Sequence, residues 1–295
     1  MGFSAASSRF KGVAALFACS FIYASFGPLV RILSEMFSDY MQVAARMGLA
    51  FVFLCIVALL FRRLRRLKQS QVVYALLLGM VSTAIIVFFT IAINEIKIAS
   101  TIFLLYIASM LTSLFMGTLI FKESLGAQKM AALFLAVVGL SLFMSEHMAL
   151  GLGVGMVSAL LSGVSEGVGN VIRKKLKDAD RVTVTLVQFL VITITAFILV
   201  GMAGESAIRE VSWLPIVALI AFSTLQLALN NLLLFGFQNF DVNIGTVILS
   251  LEIFIAAIFG FLIFGETLST AEIAGGVVIF TASVVSAWEF KKKSG

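Results

Sequence analysis

The sequence contains few charged residues, almost no proline and too few cysteines for a disulfide framework. Of its 295 residues, 12% are charged, two are proline, two are cysteine and one is histidine. So little polar side chain cannot cover the surface of a water-soluble domain of this length. Cys19 and Cys55 lie in apolar segments without metal-ligand spacing, so we expect buried small side chains and neither a metal nor another cofactor.

Apolar residues take the place of the missing charge. They make up 61% of the chain and include 28 phenylalanines. The apolar runs are about 20 residues long, which matches a helix crossing a hydrocarbon core about 30 Å thick. They lack the short alternating pattern of an outer-membrane barrel. The sequence therefore predicts an all-α integral membrane protein.

Charge clusters and turn residues divide the chain into ten apolar segments joined by short connections. None of the connections is long enough to form a soluble domain. We expect ten transmembrane helices. In chain order the segments cover residues 11–32, 40–61, 71–93, 97–120, 127–145, 151–172, 182–203, 212–236, 243–264 and 271–289.

The basic residues are distributed unequally between the two sides of these segments. Seventeen of 21 lie at the two chain ends and after segments 2, 4 and 6, Arg173 among them. The other side has Arg31, Lys97 and Arg209, while Arg46 lies inside segment 2. This asymmetry predicts cytoplasmic termini, with the bacterial inner membrane as the expected location. The basic clusters lack interleaved aromatic residues, so we expect no nucleic-acid partner.

One phrase occurs twice in the chain. Residues 118–126 read TLIFKESLG and residues 261–269 read FLIFGETLS. The first copy ends segment 4 and the second ends segment 9, so the copies are separated by five helices and point in opposite directions. Matched pairs at nearly the same offset are Gly27 with Gly169 and Arg31 with Arg173.

This repetition predicts two five-helix halves with inverted topology, residues 1–146 and 147–295. The alternative is that an acid and a hydroxyl only mark helix ends. Ser269 and Glu272 could form a capping box for segment 10, and we expect Glu123 and Glu266 to be structural caps. Capping alone would not require the shared Leu-Ile-Phe.

Ten helices in two halves, each ending its fourth helix in an apolar run with Gly-Glu or Lys-Glu, resemble the EamA family of the drug/metabolite transporter superfamily. Arg46 in AARMGLAF and the stretch LSLEIF at 249–254 extend the resemblance. Ile253 and Met110 stand where the family commonly has proline, which leaves open whether helices 4 and 9 kink. The resemblance implies a solute carrier with a central cavity between the halves, lined by helices 1, 4, 6, 8 and 9 among others, and substrates from amino acids to diverse metabolites.

Polar residues inside the segments are the candidate site residues. A charge at the centre of a membrane helix costs about 2.5–3.5 kcal/mol, so an intramembrane acid is a functional candidate by default. Glu252 lies near the middle of segment 9. Glu166 and Asn170 belong to a polar stripe on one face of segment 6 that leads towards Arg173. Further candidates are Tyr23, Arg46, Tyr106, Gln226 and Asn230.

Each candidate also has a structural interpretation. Amides and hydroxyls in membrane helices often bond only to neighbouring helices, and tyrosines often only pack. The two acids could be neutralised by a partner or remain protonated. Arg46 lies in the outer third of segment 2, where we favour snorkelling to the interface or a structural pair.

Three classes of function remain. The first is a secondary transporter, expected to be an exporter of amino acids or related cationic or zwitterionic solutes, working by alternating access with proton coupling open. The second is an organophosphate or nucleotide-sugar exchanger, which ranks lower because the membrane core offers mainly Arg46 as a cation. The third is a membrane enzyme or scaffold. We expect no enzyme, since metal and nucleophile motifs are absent and His147 lies in an external loop. Expected partners are a small-molecule solute and the lipid bilayer, and a homodimer stays open.

Overall fold

A computed structural model describes residues 2–61, 64–122, 127–144, 153–204, 208–209, 211–265 and 269–292. Apart from an isolated antiparallel bridge, these residues form helices and short connections, without a β-strand among them. The all-α prediction is confirmed. The described helices are α1 (Gly2–Ser34), α2 (Asp39–Leu60), α3 (Gln69–Glu95), α4 (Ile98–Phe121), α5 (Ala127–Met144), α6 (Val154–Lys175), α7 (Arg181–Ala203), α8 (Trp213–Asn239), α9 (Val242–Leu249), α10 (Leu251–Phe264) and α11 (Thr270–Lys292).

Each predicted segment corresponds to one helix except segment 9, which is divided at Ser250 into α9 and α10. The sequence left open whether this segment bends, and the structure interrupts it at Ser250. The Ser250 hydroxyl donates to the Val247 carbonyl at 2.7 Å, and the Ile253 amide donates to the Ser250 carbonyl at 3.1 Å. Bonds of this i to i+3 type tighten the backbone and compete with regular helix. The interruption forms without a proline, whereas α4 is unbroken and α1 continues through Pro28.

The distribution of side chains is that of a membrane protein. Large apolar residues face outwards, such as Phe115 at 68% exposure and Met202 at 79%. Serines, threonines, amides and charges from the middle of the helices are buried. In the described part of the chain, eight helical spans are long and apolar enough to cross a bilayer, with α9 and α10 together supplying one of them. The count of ten membrane-spanning segments stays a prediction.

The two halves of the chain interlock. The principal packing pairs are α4 with α6, α3 with α6, α5 with α11, α1 with α8 and α2 with α7, and each joins one half to the other. Each helix of the first half has a counterpart five segments later, so that α1 corresponds to α6 and α3 to α8. The α1–α8 contact therefore corresponds to the α6–α3 contact. In the same way α4 corresponds to segment 9, which forms α9 and α10. The α4–α6 contact therefore corresponds to the contact of α9 and α10 with α1, which is also present. This exchange symmetry is what two structurally related repeats require, and their inverted orientation stays a prediction.

Helices α4 and α6 approach each other at two glycines of α6. A Cβ atom at Gly163 would collide with the carbonyl oxygen of Leu105, and one at Gly167 would lie 2.9 Å from the carbonyl oxygen of Ser109. Small residues allow such backbone contact between membrane helices. The α4–α6 contact therefore places one helix of each half at fixed, close separation.

The connections α1–α2 and α7–α8 meet at one end of the bundle. Phe37 and Ile208 form the antiparallel bridge. The Arg209 amide donates to the Met36 carbonyl at 2.7 Å, and its guanidinium donates to the Ser34 carbonyl at 3.1 Å. These two connections therefore lie on the same side, as the sequence predicts for the side with few basic residues.

The orientation in the membrane leads to a testable expectation. A reporter enzyme that is active only outside the membrane should stay silent when fused to the carboxyl terminus, because the basic residues favour the cytoplasm there. The same reporter inserted at Arg209, in the α7–α8 connection, should be active. Enzyme activity in cells expressing each fusion measures this. Activity at the carboxyl terminus with silence at Arg209 would reverse the orientation.

Three residues discussed above, Glu123, His147 and Glu266, lie outside the described residues. The capping roles expected for the two glutamates stay predictions, as does the solvated position of the histidine.

Candidate functional site

A cavity lies between the two halves, and the space inside it together with its open mouth is about 640 Å³. Its wall includes aromatic and aliphatic side chains as well as polar ones. Seven of the eight candidate site residues line it, namely Tyr23, Arg46, Tyr106, Glu166, Gln226, Asn230 and Glu252.

Glu252 lies at the interruption between α9 and α10. It occupies the first turn of α10 rather than the middle of a continuous helix, and it is only 4% exposed. The free amides at the amino end of a helix favour negative charge, and divided helices commonly form the binding sites of transporters. The Tyr106 hydroxyl donates to Glu252 Oε2 at 2.5 Å. Among the described residues, no basic side chain lies within ion-pair distance of Glu252.

Glu166 has a basic partner, Arg173. Arg173 Nη1 lies 2.8 Å from Glu166 Oε1 and 2.6 Å from Asn170 Oδ1. Arg173 does not follow the helix as the sequence predicts, because α6 continues to Lys175, and Arg173 is 3% exposed and lines the cavity. The spacings of four, three and seven residues among these side chains place all of them on one helix face.

Arg46 is fully buried at 0% exposure, which excludes snorkelling, one of its two structural interpretations. Its Nη2 donates to Thr90 Oγ1 at 2.6 Å, and the Phe222 ring lies 4.5 Å from its guanidinium carbon. Its Nε and Nη1 atoms have no hydrogen-bond partner. An unsatisfied buried donor costs about 1–3 kcal/mol, and more when it is charged. Arg46 therefore presents a buried positive charge whose donors are only partly used.

The three candidate amides differ in position. Asn170 is the one candidate that does not line the cavity; besides accepting from Arg173, it donates to Thr246 Oγ1 at 3.4 Å. Gln226 and Asn230 line the cavity from α8. Asn230 Nδ2 has no hydrogen-bond partner. Asn170 therefore orients Arg173, while the two α8 amides can face a solute.

Two tyrosine–glutamate hydrogen bonds join the halves across the cavity. Tyr106 of the first half donates to Glu252 of the second. In the same sense, the Tyr23 hydroxyl of the first half donates to Glu166 Oε1 of the second at 3.5 Å. Each carboxyl group is thus held by a phenol from the opposite half.

Comparison with protein families decides the class of the chain. Residues 10–145 and 153–288 each match the model of the EamA-like transporter family. The chain belongs to this family. The resemblance drawn from the repeated phrase is therefore confirmed. Since each half matches once, the EamA-like chain is an internally duplicated integral membrane protein of a transporter type.

A solved structure gives the same fold. A crystal structure, described only as that of a protein, superimposes with a TM-score of 0.78 at 13% identity and covers 97% of this chain and 100% of that chain. At that identity the likeness shows the fold alone. No curated protein matches the chain.

Several residues of the EamA-like cavity were not among the candidates. Gln188 of α7 donates to Ser82 of α3 at 2.7 Å, and both line the cavity. Gln188 is the single amide of segment 7, which was a usable signal in the sequence. The rings of Phe26 and Phe222 also line it and stack with centroids 4.1 Å apart. Nothing distinguishes these two from the other 26 phenylalanines in the sequence.

The residues that the structure describes do not include a group of three His, Cys, Asp or Glu side chains able to hold a metal ion. Cys19 is buried and Cys55 is half-buried. What the cavity offers chemically is a set of buried charges and hydrogen-bonding groups around an apolar wall, which suits the binding of a small amphiphilic molecule.

Proposed function

We propose that the chain is a secondary transporter of small organic solutes, in particular amino acids and related zwitterionic metabolites. The observation that carries this proposal is the cavity, which is enclosed by helices of both halves and lined by four charged side chains. Charged groups in membrane helices are expensive, and those that are present usually mark a substrate or ion pathway. Rocking of one repeat against the other would open this site to each side in turn.

The balance of charge supports zwitterions over plain cations. Arg46 and Arg173 oppose Glu166 and Glu252, so the formal charges around the cavity sum to zero. This revises the expectation of a cavity with two acids and little positive charge. A solute with one positive and one negative group leaves the balance unchanged, whereas a plain amine adds an uncompensated charge to a low-dielectric site.

Glu252 supports proton coupling. A carboxyl group inside a membrane protein is stable either as a neutral acid or as an anion paired with a cation, and alternating access can switch it between these forms. The direction that we propose is export across the bacterial inner membrane. Flux from vesicles loaded on one side, with and without a proton gradient, tests both parts.

An organophosphate or nucleotide-sugar exchanger is the second candidate. The two arginines of the cavity wall favour it, because guanidinium groups bind phosphate well. However, Arg173 already bonds to Glu166 and Asn170, which leaves Arg46 as the one arginine of the cavity wall without an acidic partner in the described residues. One such cation is a poor match for a phosphate or diphosphate group.

Competition between solutes tests this ranking. In vesicles reconstituted with the purified chain, we expect a mixture of the twenty amino acids to exchange with their labelled forms. Excess nucleotide sugar should leave that exchange unchanged, because its phosphates exceed the positive charge that the cavity can offer. Protein-free vesicles are the control. Inhibition by a nucleotide sugar, together with absence of amino-acid exchange, would favour the second candidate.

A further inference from the structure

We propose that Arg46 and Asn230 form a carboxylate-binding subsite in the cavity, so that the transported solutes must carry a carboxylate as well as an amino group. This inference rests on the proposed function and narrows its substrate class. It predicts that an amine without a carboxylate binds more weakly than the corresponding amino acid.

The donors of Arg46 are the first observation. A guanidinium has five N–H groups and no acceptor, and it binds the two oxygens of a carboxylate better than any other side chain. In Arg46 one nitrogen donates to Thr90, while Nε and Nη1 have no partner. Phe222 covers a face of the group, so a ligand would approach its edge, where the N–H groups point. A carboxylate supplies the acceptors that the protein does not.

The charge of Arg46 is the second observation. No acid among the described residues lies within ion-pair distance of it. Asp39 acts on Arg46 electrostatically, but the Asp39 carboxylate accepts a hydrogen bond at 2.5 Å from Asn94. No acid therefore contacts Arg46 directly in the described residues, and an anion is the ligand class that completes the surroundings of Arg46.

The amide of Asn230 is a second buried donor of the cavity wall that has no partner. It is 3% exposed, its Nδ2 has no partner, and it lines the same cavity. Ser223, two turns earlier on the same face of α8, donates to the Arg46 carbonyl at 3.0 Å. This bond fixes α8 against the backbone of Arg46. Two unsatisfied donors, one from α2 and one from α8, therefore line the same cavity.

Glu252 is the group that would bind the amino group of the same solute. It is the acid of the cavity without a basic partner in the described residues, as Arg46 is the base without an acidic one. Glu166 and Arg173 neutralise each other at 2.8 Å and impose no charge requirement. A zwitterion can pair with Arg46 and Glu252 together. An amine alone would satisfy Glu252 and leave Arg46 unpaired, and this difference produces selectivity.

Thermal-shift titration of the purified full-length chain tests the subsite. The probes are the twenty amino acids and, for each one that raises the Tm, its decarboxylated amine. We expect the amine to bind at least about tenfold more weakly, which corresponds to the loss of a charge-assisted hydrogen bond. Arg46→Gln should weaken amino-acid binding to the level of the amine and leave amine binding unchanged. Asn230→Ala should produce a smaller loss of the same kind.

Arg31→Gln is the matched control, since Arg31 lies on α1 outside the cavity wall and should retain full discrimination. The elution profile and the Tm without ligand establish that each variant folds. If Arg46→Gln does not fold, Arg46→Lys replaces it, since lysine keeps the charge but lacks the planar array of donors. Arg46→Lys should bind amino acids at an intermediate level. Equal binding of amine and amino acid to the wild type, retained discrimination in Arg46→Gln, or no binding of any amino acid would overturn the subsite. Flux of other solutes in vesicles would then still support a transporter, whereas ligand binding without any flux would overturn the proposed function and leave the subsite intact.

Discussion

Glu252→Gln is expected to fold and reach the membrane normally but to lose most transport, with flux reduced by about tenfold or more. Glutamine keeps the shape of the side chain and can still accept the hydrogen bond from Tyr106, which lies 2.5 Å away in the wild type. It can neither titrate nor pair with the positive group of a solute. Solute counterflow in reconstituted vesicles, measured over a range of pH, is the appropriate assay.

Glu95→Gln provides the control for this variant, because Glu95 is an exposed acid at the end of α3, away from the cavity wall. It should transport like the wild type. Glu166→Gln should show a smaller transport defect than Glu252→Gln, since Glu166 is already bonded to Arg173. Wild-type flux with unchanged pH dependence in Glu252→Gln would show that this acid is structural and that the site has been misassigned.

Arg173→Gln should lower the free energy of unfolding by about 3–5 kcal/mol, because it leaves the buried Glu166 carboxylate without its partner. Denaturant titration of the purified variants in detergent measures this. The double variant Glu166→Gln with Arg173→Gln should recover much of the loss, since neither charge is then buried alone.

Lys174→Gln is the neighbouring comparison. Lys174 lies 3.6 Å from Asp241 at a more accessible position, so its replacement should change stability by about 1 kcal/mol or less. If Glu166→Gln, Arg173→Gln and the double variant lose equal stability, the Glu166–Arg173 pair does not act as a coupled unit.

The general architecture was predictable because the membrane imposes strong rules on sequence. Apolar runs of helix length, the bias of basic residues and the repeated phrase predicted helices and two related halves. The same rules predicted seven of the sixteen residues of the cavity wall, since a polar group such as Glu252 or Gln226 is retained in a membrane helix only when something other than lipid faces it.

Arg173 shows what linear patterns cannot separate. It begins the run Arg-Lys-Lys at 173–175, which has the composition of a cytoplasmic cluster. On the helix each successive residue is rotated by about 100°, so neighbours in the run face different surroundings. Arg173 turns inwards to Glu166, while Lys174 and Lys175 lie 4.9 and 5.2 Å from the ring centroid of Phe121.

Arg46 and Ser250 show the same limit for single residues. A long arginine side chain can reach the interface or the interior, and hydropathy does not distinguish these; in the structure, packing between α2, α3 and α8 decides for the interior. The interruption at Ser250 depends on one hydroxyl bond to the Val247 carbonyl. Serine hydroxyls form such bonds in many unbroken helices.

The glycine contact between α4 and α6 is a point at which the two halves stay together when other helices move. Tyr106 lies between the two contact points on α4, and Glu166 lies between Gly163 and Gly167 on α6. Backbones in direct contact cannot slide without collision, so α4 and α6 keep their separation at this point. Glu252, the partner of Tyr106, belongs to α10, and Tyr23, the partner of Glu166, belongs to α1. Neither of these two helices takes part in the glycine contact between α4 and α6. A change of access that moves α1 or α10 relative to this contact would lengthen one of the two tyrosine–glutamate bonds, so the two distances would report that movement.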